Sequence, residues 1–199
     1  MKTIEKGRFG LFLLFFFTIL MTIPAFPQDG IVRAKIGIMA KSGDKSWYVR
    51  SKEKLSKGDM LRIYIRPEKA SHVYIIHTDM KSVTLLFNKS QVRETMLVVP
   101  SEKDFYQIDG DSLVEVFIIV CSPKEVKELS PMKTSALSCE QWASIEEELI
   151  NRSKIELRQT VERSIPIAGL VRGVQPEPSI QTFSGRSLII KKYEFSVKK

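Results

Sequence analysis

Two cysteines and two histidines are all that 199 residues provide, and this scarcity removes several kinds of chemistry at once. Structural zinc sites draw their ligands from closely spaced Cys and His, whereas His72, His77, Cys121 and Cys139 lie scattered. No Gly-x-Ser-x-Gly elbow presents a nucleophile, and no glycine-rich loop is built to cradle a phosphate. Repeats and low-complexity stretches are absent too. The longest apolar run, residues 11–23, falls short of the roughly 20 residues that span a bilayer. Neither a cofactor nor a metal is expected.

What is present is ordinary for a folded protein: 43% hydrophobic and 27% charged residues, in a length that fits one domain with a true core. The net charge is +8, with Lys2, Lys6 and Arg8 against Glu5 supplying +2 of it. These residues head a three-part leader: a basic start, the apolar run at 11–23, then Pro24 and Ala25. That order is the pattern of a secretory signal. Residues 1–25 are therefore expected to be removed, leaving 26–199 as a single exported domain, periplasmic or extracellular, with no membrane span after cleavage. Its remaining +6 would draw it toward anionic partners. The cations alternate with acids and form neither an arginine-rich arm nor a basic helix face, which argues against nucleic acid.

Strand-like alternation dominates residues 31–121. Candidate strands fall at 31–40, 47–49, 60–66, 73–78, 83–87, 96–99, 105–108 and 113–121. Turn compositions Ser42-Gly43-Asp44, Lys57-Gly58-Asp59 and Asp109-Gly110-Asp111 separate several of them. In 60–66 the period of two is clean, with Leu61, Ile63 and Ile65 on one face and Arg62, Tyr64 and Arg66 on the other. Short strands punctuated by turns predict a mainly β protein, an antiparallel β-sandwich, with one or two helices packed on it toward the C-terminal third. One short helix is expected at 122–129, with Pro123 in its first turn. A second should open at a Ser138/Gln141 capping box and carry Trp142, Ile145 and Leu149 as one apolar stripe. Alternation returns at 154–163, a loop is expected over 169–185, and a strand over 188–197.

Residues 55–65, Leu-Ser-Lys-Gly-Asp-Met-Leu-Arg-Ile-Tyr-Ile, resemble the strand-entering Gly-Asp segment of the bacterial family called domain of unknown function 4384. The stretch His72-Val73-Tyr74-Ile75-Ile76-His77-Thr78-Asp79, followed by Val83-Thr84-Leu85-Leu86-Phe87-Asn88, is similar to that family's central signature. Pro100, residues 105–110 and residues 114–119 resemble its tail. The likeness covers roughly residues 55–130. In two places the chain departs from the pattern: Phe87 directly precedes Asn88 where a proline usually intervenes, and Asp111-Ser112 stands where a glycine is expected. The resemblance implies a β-sandwich module of secreted or envelope proteins with no established activity.

Candidate sites are few. His77 and Asp79 share one strand face at i, i+2, a spacing that can orient an imidazole, with His72 on the opposite face. The other reading is a strand-end histidine followed by a turn aspartate. Cys121 and Cys139 are two thiols in a chain expected to meet an oxidising compartment. They would form either a bridge, worth about 3 kcal/mol for such a loop, or two unpaired buried thiols. The aromatics Trp47, Tyr48, Tyr64, Tyr74, Phe105 and Tyr106 are the binding candidates, and Arg62, Tyr64 and Arg66 form the favoured contact surface. The expected function is that of a non-catalytic binding or assembly module of the cell envelope. Its partner would be another envelope protein or an anionic surface polymer. The alternatives are an enzyme built around His77 and Asp79, or a sandwich holding a small apolar ligand.

Overall fold

The computed structural model describes residues 31–154 and 180–198. The expected leader and nearly all of the alternation at 154–163 lie outside the described residues. Among those residues are eleven strands and one α-helix. In chain order they are β1 (Val32–Ser42), β2 (Lys45–Val49), β3 (Lys54–Ser56), β4 (Met60–Pro67), β5 (Ser71–Thr78) and β6 (Val83–Val92). Then come β7 (Leu97–Val99), β8 (Tyr106–Gln107), β9 (Val114–Ser122), α1 (Cys139–Ser153), β10 (Gln181–Gly185) and β11 (Ile189–Lys198).

The protein is mainly β, and its strands form two sheets. In the first, β1 and β4 run side by side; β10 and β2 share the far flank of β1, and β7 and β8 share the far flank of β4. The second has the order β3-β11-β9-β5-β6. Alternating side chains place Ile36, Ile38, Ile63 and Ile65 from the first sheet against Ile75, Phe117, Ile119 and Phe195 from the second, in one buried core. Each such side chain removed from water contributes about 1.5–3 kcal/mol. Two glycines make the turns possible. Gly43 and Gly58 sit at φ +55° and +89°, in the left-handed region that side chains with a Cβ resist.

α1 lies on the outer side of the second sheet. Trp142 and Leu149 are buried against Tyr74, Ile76, Ile118 and Val120, with Ile145 packed beside them, so the apolar stripe is present as expected. The capping box is complete: Ser138 Oγ accepts from the Gln141 backbone N–H at 3.2 Å, and Gln141 Oε1 accepts from the Ser138 N–H at 3.0 Å. The helix is also tied down at its flank, where Lys192 Nζ and the Trp142 indole N–H each donate to Glu146 at 3.0 Å.

Several expectations are corrected. Residues 122–129 form no α-helix; the chain makes two single 3-10 turns, Lys127–Leu129 and Pro131–Lys133. So short a segment gains too few hydrogen bonds to offset helix nucleation. The last five residues of the expected 169–185 loop are β10, which is ordered by pairing with β1 from Val32–Gly185 to Ile36–Gln181. β3 has only three residues and pairs parallel with β11, so the second sheet is mixed rather than wholly antiparallel. At Phe87-Asn88, where the resembled family has an intervening proline, β6 runs on without a turn and Asn88 pairs with Tyr74.

Candidate functional site: the open face of the first sheet

No strand of the first sheet contains an aspartate or a glutamate. Its interior-facing residues are apolar, so whatever polarity it has is displayed outward. Register fixes that display. Along β1 the outward residues are Arg33, Lys35, Gly37, Met39 and Lys41, and on β4 they are Met60, Arg62, Tyr64 and Arg66. Lys35 stands directly opposite Arg66, Gly37 opposite Tyr64, and Met39 opposite both Arg62 and Tyr48. Five cations thus share the face. The expected Arg62, Tyr64 and Arg66 are all on it, and α1 does not cover it, because the helix packs on the other sheet.

The aromatic side chains are held in place by these neighbours. The Tyr48 and Tyr64 rings lie 6.1 Å apart at 60°, and the Tyr64 hydroxyl reaches Met39 Sδ at 4.0 Å. Arg62 stacks over the Phe105 ring with its guanidinium carbon 3.8 Å from the centroid, and Lys41 Nζ approaches the same ring at 5.8 Å. Arg62 Nε also donates to the Asp104 carbonyl at 3.2 Å. The Asp104 carboxylate is occupied elsewhere, accepting from the Ser101 hydroxyl at 2.7 Å. Tyr48, Tyr64 and Phe105 are half-buried. Ile180 lies over the centre of the face, where Gly37 is buried beneath it: a Cβ on Gly37 would come within 3.1 Å of Ile180.

The remaining aromatic candidates divide differently. Trp47 and Tyr106 pack on the core between the sheets. Tyr74 is buried under the helical side, where its hydroxyl accepts from the Val126 N–H at 3.1 Å. Lys35, Lys41 and Arg33 were not among the sequence candidates. Only the pairing of β1 with β4 brings them beside Arg62 and Arg66.

His77 and Asp79 are not partners. Asp79 closes the turn after β5, its Oδ1 accepting from the Lys81 and Ser82 N–H groups at 3.0 Å. Burial alone would raise its carboxyl, but these backbone hydrogen bonds outweigh burial and hold it below the usual value. His77 instead meets Glu115, with Nε2 2.5 Å from Oε2, and its ring lies 5.1 Å from that of Phe117. Glu115 is buried and is the second residue of β9, the most apolar strand. Sequence spacing gives no hint of it, because 38 residues separate the pair. His72 faces the other side of β5, as expected.

The possible Cys121–Cys139 bridge is not formed: both thiols are free. Cys121 points into the core between the sheets, while Cys139 packs on the helical side of the second sheet, so the sheet itself separates them. Burial pushes the Cys121 thiol up to about 12. Cys139 is half-buried on a cleft of about 270 Å³ that it shares with Met80, Val114 and Trp142.

Fold and site together define a two-sheet β-sandwich with one outer face covered by a helix and the other basic and aromatic. Compared with family models, curated proteins and solved structures, the chain matches none of them. The resemblance to the domain of unknown function 4384 family therefore rests on the residues quoted for it.

Proposed function

We propose that the protein is an exported, non-catalytic binding module of a bacterial cell envelope, and that it holds its partner against the basic face of the first sheet. One observation carries this reading: a sheet whose strands contain no carboxylate displays five cations on one face, with the half-buried rings of Tyr48 and Tyr64 among them and that of Phe105 under Arg62. Arg and Tyr are the residue types that anchor interfaces. The three-part leader supports export, and the family resemblance supports an envelope setting.

The test is capture from envelope extract by the mature chain, beside complementation of a deletion strain. Replacing Arg62, Tyr64 and Arg66 together by alanine should abolish both, with circular dichroism unchanged. The His77–Glu115 pair is the one feature that favours an enzymatic reading. His77→Ala should leave capture and complementation intact. Loss of complementation in the His77 variant, with the triple variant active, would transfer the function to that pair.

A further inference from the structure

A second site lies on the helical side of the molecule, independent of the basic face. We propose that the cleft between α1 and the second sheet binds a small amphiphile, with a single apolar chain and a cationic ammonium head. The cleft holds about 270 Å³, just under the range of pockets that take drug-sized ligands, so its occupant is small. All of its lining residues are among those described. Register lays out the floor. Val83, Thr78, Val116 and Glu194 stand opposite one another in a single row across β6, β5, β9 and β11. Four strands at the usual spacing make that row about 14 Å long. It begins on a buried valine and ends on a carboxylate. The one hydroxyl in the row, on Thr78, is already engaged, accepting from the Met80 N–H at 3.1 Å. Cys139, Trp142 and Ala143 of α1 form the wall above.

Charge decides which head fits. Three charged side chains line the cleft, Glu146, Lys192 and Glu194. Lys192 Nζ is committed to Glu146, which also accepts from the Trp142 indole N–H, both at 3.0 Å. The Glu194 carboxylate has no hydrogen bond or ion pair among the described residues. One unpaired anion remains, and an ammonium group, with its three donors, is its complement. The N-terminus of α1 would favour an anion instead, but it lies at the apolar end of the row, where Leu137 bridges to Val83. Its Gln141 N–H is already taken by Ser138. At that same end Met80 projects, 66% exposed at φ +68°. This left-handed backbone strains a residue with a Cβ, and it gives the entrance a flexible apolar side chain.

The test uses four probes on the mature chain at neutral pH: octylamine, octanol, octanoate and methylamine. One readout is the rate at which a thiol reagent modifies Cys139, which lines the cleft; calorimetry supplies the affinities. Octylamine should slow that rate saturably and bind more tightly than octanol or octanoate, and methylamine should do neither. Glu194→Gln should weaken octylamine about threefold, the scale of one exposed ion pair, and leave octanol unchanged. Ala143→Phe, on the exposed flank of α1, should fill the cleft and remove octylamine binding with circular dichroism unaltered. Absence of saturable protection by octylamine, octanoate binding as tightly as octylamine, or equal protection by methylamine would overturn the proposal. So would octylamine binding that is indifferent to Glu194→Gln or survives Ala143→Phe.

Discussion

The two sheets differ in what covers their outer sides. The first has no helix on its outer face, and its central strand β4 alternates strictly: Leu61, Ile63 and Ile65 are fully buried, while Arg62, Tyr64 and Arg66 are not. The second is covered by the core on one side and by α1 on the other. Its strand β9 is buried from Glu115 through Ser122 without a break. Alternation is thus a record of a sheet's surroundings. Where one face meets water, sequence keeps the period of two; where both faces are dry, the period disappears into a continuous apolar run.

The sharpest way to break this comparison is on β4. Ile63→Asp buries an unpaired carboxylate, at a cost of about 2–7 kcal/mol or more, and should leave little folded protein. Arg62→Ala loses a partly exposed stacking contact, worth about 0.5–1 kcal/mol, and the hydrogen bond to the Asp104 carbonyl at the surface. Chemical denaturation of both variants measures the difference, and equal losses would mean that the two faces have been exchanged.

A second measurement distinguishes the sides of the covered sheet through its thiols. Cys121, raised to about 12 by burial, holds almost no thiolate at pH 8, and the core shields it. A thiol reagent should modify one cysteine per native molecule and the second only after denaturation. Two rapid equivalents would place Cys121 outside the core, and none under non-reducing conditions would restore the bridge.

The smallest effect tests the cover itself. Ser138→Ala removes one half of the capping box and should lower stability by about 1 kcal/mol, read as a shift in the denaturation midpoint. Replacing Ser138 without effect would show that α1 is held by Trp142 and Leu149 alone.

Much of this fold is legible in the sequence for the reason the comparison gives. β4 and β1 announce themselves and their faces, and the Arg62-Tyr64-Arg66 row follows directly. β9 announces itself but not its faces. Cys121 shares its parity with Phe117 and Ile119, yet in a run apolar on both sides nothing marks which parity points toward Cys139. Partnerships across the sheet were illegible for another reason. Lys35 finds Arg66, and His77 finds Glu115, only through strand register, and register is settled by packing between segments far apart in the chain. β10 and β3, short and weakly patterned, owe their existence to neighbours.

The order β3-β11-β9-β5-β6 places residues 189–198 inside a sheet, between two strands made much earlier, and β10 just before them lines the first sheet. The second sheet cannot close until residues 189–198 have been made, and the first gains only its edge strand β10 at that late stage. The pairing of β11 with β3 and β9 is a contact of long sequence separation, of the kind that forms slowly.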